Sequence, residues 1–285
     1  MEQGELREIF QKGSRTYFNS TRFFPPAVRQ RVTVLYAFVR TADDFVDTLP
    51  QDVAGWQAFK KDFHRALEGE RTSNEVVDGF VSLLQQFQMD PNWVEAFFHS
   101  MEMDLFPRVF ETLDQTLEYI YGSAEVIGLM MAHLMELPPR SFPYAQMLGR
   151  AMQYINFIRD IQEDLELGRQ YIPRAFSEKH GLRSLERSQA LEKPRAFEAL
   201  VRGEVERYVG WQRQAEKGFG FLPLRYRIPV KTASDMYFWT AKTIAKNPLV
   251  VYARKVKPSK TRILFQGSWN ILAAQFSNRK GEREK

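Results

Sequence analysis

Three side chains with metal-seeking oxygens recur every four residues near the middle of the chain. They are Asn156, Asp160 and Asp164, in the stretch 151–173, AMQYINFIRDIQEDLELGRQYIP. On an α-helix, positions i, i+4 and i+8 lie on nearly one face, each about 6 Å further along the axis. Met152, Ile155, Phe157 and Ile158 surround them with apolar surface, where a carboxylate is costly unless a cation stands beside it. The stretch 36–47, YAFVRTADDFVD, offers a matching set, with Asp43 and Asp47 again four apart. A fold that satisfies both stretches frames one cation-filled cavity between two helices. The competing account is a pair of solvated acidic faces. Against it stand the shared spacing, an arginine before each pair (Arg40 and Arg159), and the apolar runs that both pairs continue.

Residue content narrows the chemistry. The chain has no cysteine and four histidines among 285 residues. Disulfides, thiolate metal sites and a cysteine nucleophile are excluded, and zinc is disfavoured. A metal would be held by oxygen, which suits Mg²⁺ or Mn²⁺. The net charge of +5 and pI of 9.3 suit anionic partners such as phosphorylated substrates, lipid headgroups or nucleic acid. The basic run Arg254, Lys255, Lys257, Lys260 and Arg262 has no recognisable reading motif, so no nucleic-acid partner is expected. The first residues lack a signal-peptide core and no apolar run reaches 18 residues, so a cytoplasmic location is expected. The 23 phenylalanines fit either a bulky core or a large apolar pocket.

Helical periodicity dominates and strand-like alternation is scarce, so the expected fold class is all-α, one domain over 1–285 with a frayed tail at 276–285. Helices are expected over 5–23, 27–46, 52–69, 73–88, 91–105, 113–137, 142–167, 194–220 and 230–245, then a short apolar helix in ILFQGSWNILAAQF. Pro25-Pro26, Pro50, Pro107, Pro138-Pro139, Gly168 and Asn247-Pro248 supply the stops, and Pro223 and Pro229 are expected to bracket a short connection. Gly218-Phe-Gly220 lacks the third glycine and the strand–turn–helix setting of a dinucleotide site. No Walker loop and no serine nucleophile elbow is present.

YAFVRTADDFVD, YIYGSAEVIGLMM (121 is its second tyrosine) and NFIRDIQEDLELGRQYIP resemble the three signature regions of the squalene/phytoene synthase family, in the family's order. The likeness runs from Ser14 to about Lys260, and within the family it is greatest to the bacterial and archaeal phytoene-forming members. The resemblance implies an all-α isoprenoid-synthase fold with a deep central cavity and two Asp motifs facing each other near its mouth. It implies that two prenyl diphosphates condense head to head through a cyclopropylcarbinyl diphosphate, and that this intermediate then rearranges to a linear hydrocarbon. The substrate would be geranylgeranyl diphosphate for phytoene. It would be farnesyl diphosphate for squalene or dehydrosqualene, and NADPH would be needed only for squalene.

Carried over position by position, the resemblance implies Mg²⁺, or Mn²⁺, on Asp43, Asp47, Asn156, Asp160 and Asp164. Arg40, Arg159, Arg169 and Arg254 would bind phosphate oxygens, with Tyr171 beside them. Tyr36, Tyr119 and Tyr237 would stand near the reacting centre, and Gln153 would line the cavity. Ser14 and Tyr17 match an N-terminal flap over the diphosphate. Small Thr21 is compatible with a C20 chain. The chain departs from the family at Ile120 and at Ser123-Ala124-Glu125, where Tyr-Cys-Tyr and Val-Ala-Gly are common. Glu125 is expected either on the cavity wall or against another helix. Non-catalytic relatives that serve as assembly factors have degraded Asp motifs, whereas both motifs are intact here. A hydrocarbon product also leads us to expect peripheral contact with a membrane surface.

Overall fold

The computed structural model describes residue 21 and residues 23–283, with side chains described up to residue 274. The helix expected over 5–23 therefore lies outside the described residues, as do Ser14 and Tyr17. Local signals set most helix starts. α1 (Pro26–Asp47) opens on a proline, whose missing N–H costs nothing in a first turn. α2 (Val53–Leu67) is capped by Asp52, whose carboxylate accepts from Gly55 N. Asn74 caps α3 (Glu75–Gln86), and Asp90 followed by a proline starts α4 (Pro91–Met103). Thr112 and Gln115 form a reciprocal capping box at α5 (Leu113–Ile120).

The long apolar helix expected over 113–137 is not continuous. α5 passes into a π turn at Tyr121–Glu125 and then into α6 (Val126–Leu134). The cause is a close approach by α4. A Cβ on Gly122 would stand 2.1 Å from the Ala96 carbonyl oxygen. Ser100 of α4 donates to the Tyr119 carbonyl at 2.9 Å, so the widened turn keeps that acceptor satisfied. Glu125 faces another helix: it is buried and pairs with Arg150 at 2.6 Å.

The central helix is also divided. α7 (Phe142–Arg159) and α8 (Ile161–Glu166) meet at Asp160, whose φ of −103° and ψ of 16° leave the helical region. The break spans one residue, because Asp160 N still bonds Asn156 O at 2.8 Å and Asp164 N bonds Asp160 O at 2.9 Å. The four-residue stack of oxygen donors survives it. Gly168, at φ +72°, stops α8 in a conformation that costs a side-chain-bearing residue more.

Two short parallel strands follow the helix ends: β1 (Arg108–Val109) pairs with β2 (Arg169–Gln170), Arg108 opposite Arg169. Periodicity gave no warning of them or of the one-turn helices α9 (Arg174–Lys179) and α10 (Arg187–Glu192). α11 (Pro194–Glu216) runs into a 3₁₀ turn, Lys217–Phe221. Pro223 and Pro229 do not bracket a connection. Pro223 precedes α12 (Leu224–Lys246), and Pro229 sits inside its early turns, where the unmade hydrogen bond falls near the helix start. α13 (Val250–Ala253) leads through an extended strap, 254–259, to α14 (Lys260–Arg283).

The apolar side chains form two main clusters and a small one. One lies among α1 to α4 and α6, where Phe38, Phe59, Phe63, Phe80, Phe97, Phe98 and Trp56 interlock, with Phe38 stacked on Phe80 at 3.9 Å. Each such burial stabilises by roughly 1.5–3 kcal/mol. The other is built on α7, packed against α11 and α12. Ten phenylalanines are buried in these clusters, and among the described residues only Phe24, Phe157 and Phe219 stand on the wall of the cavity between them.

Candidate active site

A cavity of about 710 Å³ opens between α1 and α7. α1 contributes Tyr36, Arg40, Asp43 and Asp47 at helical spacing, and α7 and α8 contribute Met152, Gln153, Asn156, Asp160 and Asp164. Tyr119, Arg169, Tyr171 and Tyr237 also line it, as does the buried Thr21. Deeper in, Val32, Leu35, Met131, Met135, Leu148 and Leu222 make the wall apolar.

Every described residue in the expected site reaches this cavity except Arg254. That residue is exposed and begins the extended strap, with φ −167° and ψ 151°. In extended backbone successive side chains alternate, so its neighbours Lys255 and Lys257 line the cavity instead. Lys255 stands 3.3 Å from Asp160 and is also bonded to Glu163. Burial, with Lys255 and Arg159 close by, lowers the Lys257 pKa.

Sequence reasoning missed Asp104, which follows α4 and is buried. Its carboxylate accepts from the Tyr171 hydroxyl at 2.6 Å and from the Tyr119 hydroxyl. Arg169 donates to the Asp104 carbonyl at 2.7 Å, to the Val46 carbonyl at 2.6 Å and to Asp47 at 2.7 Å. One buried guanidinium thus ties the end of α1 to the segment after α4. The only hint was an acid flanked directly by Met103 and Leu105. Burial raises the Asp104 pKa to about 6, opposed by Arg169 and the two tyrosines. Both hydroxyls are in turn raised, first by burial and then by the Asp104 charge. Tyr171 also stacks on Phe157 at 4.2 Å and 9°.

The acids fall into two states. Asp47 pairs with Arg169, and Asp160 receives both a fork from Arg159 at 2.8 and 2.5 Å and the Lys255 ammonium. Arg40 is engaged by Asp44. The Asp43 and Asp164 carboxylates have no hydrogen bond or ion pair among the described residues. Burial pushes the Asp43 pKa well up, helped by Asp47, and pushes up that of Asp164, helped by Asp160, Asp104 and Asp47. Asp47 on one wall and Asp164 on the other line the same opening.

Among the described residues no three His, Asp or Glu side chains already converge as an ion cage. The donor set nevertheless fits a hard cation bridged by an anionic ligand. Among the described residues the buried Asn156 Oδ1 has no hydrogen-bond partner, and Asp43 and Asp164 have no direct ion pair, with Arg40 and Arg169 offsetting their burial only in part. All these donors are oxygens, and added positive charge would relieve each of them.

A family model described as squalene/phytoene synthase matches residues 10–262. A 15-cis-phytoene synthase from a Paracoccus species is 26% identical over 94% of this chain and 91% of its own. A phytoene synthase from Cereibacter sphaeroides is 30% identical over 85% of this chain and 71% of its own. Among solved structures, a dehydrosqualene synthase in complex with ligand superposes with a TM-score of 0.84 at 22% identity, covering 96% of each chain. A squalene synthase from Alicyclobacillus acidocaldarius superposes at 0.77 and 21% identity, over 88% of this chain and 94% of its own. These two establish the isoprenoid-synthase fold.

Proposed function

The chain belongs to the squalene/phytoene synthase family of prenyltransferase-type enzymes, and on that premise we propose that it makes 15-cis-phytoene. Two geranylgeranyl diphosphates would condense head to head through prephytoene diphosphate, with the whole chain acting as one catalytic domain. The observation that carries the reading is the pairing of two acidic, oxygen-rich walls above an apolar cavity. The C20 substrate rests on the phytoene synthases that match most of the chain.

Asp43, Asp47, Asn156, Asp160 and Asp164 would hold Mg²⁺, or Mn²⁺ in its place. The bound cations would neutralise the departing diphosphate. Arg40, Arg159, Lys255 and Lys257 stand where they can take phosphate oxygens, by planar forks or point charges. Arg169 holds Asp47 in place and keeps the α1 end fixed. The apolar wall excludes water, which would otherwise capture an allylic cation. The faces of Tyr36, Tyr119 and Tyr237 can each stabilise such a cation by roughly 0.5–2 kcal/mol. With its hydroxyl committed to Asp104, Tyr119 has its ring held in one orientation.

A 4,4'-diapophytoene synthase from Staphylococcus haemolyticus is also similar, at 27% identity over 59% of this chain, so farnesyl diphosphate is the rival substrate. Product analysis separates the two. Purified protein with Mg²⁺ and geranylgeranyl diphosphate, without NADPH, is expected to yield a C40 hydrocarbon with a conjugated triene. A C30 product from farnesyl diphosphate alone would replace this reading, and NADPH dependence would then distinguish squalene from dehydrosqualene. Failure to form hydrocarbon from either substrate would overturn the catalytic reading.

A further inference from the structure

α14 carries two apolar stripes on opposite faces. Ile263, Gly267 and Asn270 are buried against the molecule at i, i+4 and i+7. Phe265, Trp269 and Leu272 repeat the same spacing on the other side, 73%, 59% and 49% exposed. By helix geometry the two stripes are about half a turn apart, and the outer one is about 10 Å long. Large aromatics gathered this way are unlike the scattered apolar residues of an ordinary surface.

The inner face is locked. Asn270 donates to Thr232 Oγ1 at 3.1 Å and to Asp235 at 2.9 Å, and Gln266 also donates to Asp235 at 2.9 Å. Both acceptors are on α12. Arg262 lies over the Trp239 ring at 4.8 Å, also on α12. The outer stripe is therefore presented by a helix that cannot roll to hide it without breaking a buried polar clamp.

We propose that this outer face is a docking surface for an anionic lipid leaflet. Charge selects the occupant. Along α14, Lys260, Arg262, Arg279, Lys280 and Arg283 stand against a single acid, Glu282. An aromatic stripe in a basic helix suits the boundary between anionic headgroups and acyl chains. A second copy of the same face would set like charges against one another. No helix among the described residues is long and apolar enough to cross a membrane, so the contact is peripheral. α14 packs on α12, and α12 gives Val230, Ala233 and Tyr237 to the cavity wall. A leaflet at α14 would thus lie one helix away from the cavity. The inference does not depend on which prenyl diphosphate the cavity accepts.

The test is vesicle flotation of the full chain with phosphatidylglycerol-containing or pure phosphatidylcholine vesicles. Binding to the anionic vesicles is expected to exceed binding to phosphatidylcholine at least tenfold, and to fall steeply as salt rises. The Phe265→Ser/Trp269→Ser variant is expected to bind at least tenfold more weakly, with an unchanged melting temperature and unchanged prenyl diphosphate turnover in solution. Quenching of tryptophan emission by brominated lipid should be lost in Trp269→Phe, which leaves the other four tryptophans in place. Equal binding by parent and double variant would overturn the proposal, as would no binding to anionic vesicles. A concentration-dependent dimer abolished by the double variant would assign the face to a second copy instead.

Discussion

The two acidic pairs, at the end of α1 and at the α7–α8 junction, look alike in sequence but are neutralised differently. At the first, Asp47 is held by Arg169, from 122 residues away. That arginine side chain is buried and shares the Val46 and Asp104 carbonyls with Gln51, so it is tied to the fold at three acceptors. At the second, Asp160 is held by its neighbour Arg159 and by Lys255 on the strap. Among the described residues Lys255 has only carboxylates as partners, which it can exchange for phosphate. The first pair is fixed by the fold, while the second is neutralised by groups at the cavity rim. Each pair keeps one acid, Asp43 or Asp164, without a direct ion pair among the described residues.

The largest expected effect tests whether both pairs serve the chemistry. Asp43→Ala or Asp160→Ala should each reduce hydrocarbon formation by a factor of 10³ or more, about 4 kcal/mol, with circular dichroism unchanged. Near-parental turnover in either variant would remove the metal assignment.

Next comes Arg169→Met, which removes the Asp47 ion pair and one of the two donors to each carbonyl, Gln51 being the other. Breaking a buried pair costs about 3–5 kcal/mol, less some relief because Asp47 is 45% exposed. Denaturant unfolding should register a loss of several kcal/mol, while Arg159→Met, at the adaptable pair, should lose clearly less. Equal losses would break the comparison.

The unpaired acids predict a pH dependence. Their folded pKa values lie above the ordinary 3.8, so the folded chain keeps protons that the unfolded chain releases. Their stabilising contribution is full at low pH and is lost as pH rises through the raised values, by up to about 1.4 kcal/mol per pH unit for each group. Metal-free protein should therefore lose melting temperature as pH rises above the ordinary carboxylate range. Asp43→Asn and Asp164→Asn should each flatten that slope, and saturating Mg²⁺ should reverse it. A slope unchanged in both variants would sink the account.

The smallest effect concerns Lys255. Its ammonium occupies the carboxylates a cation would use, so Lys255→Gln should tighten Mn²⁺ binding to the substrate-free protein by about five- to tenfold, read by electron paramagnetic resonance titration. Unchanged or weaker Mn²⁺ binding would mean that the two cations do not compete.

The sequence alone determined the helical class, most helix starts and both acidic faces. These depend on local quantities: capping residues, proline stops and side chains four residues apart, which any helix stacks on one face. Tertiary structure decided which acids are paired. Asp47 finds Arg169 across 122 residues, and Asp104 becomes a buried acceptor only once Tyr119 and Tyr171 are folded around it. It also decided the helix interruptions, since the π turn follows from the contact of α4 with Gly122. The exchange of Arg254 for Lys255 and Lys257 depends on the extended strap, whose path is set by the helices at its two ends rather than by its own residues. Periodicity reports the face a side chain takes on its own helix. Which charge waits opposite depends on packing between segments distant in sequence, and no local pattern encodes that.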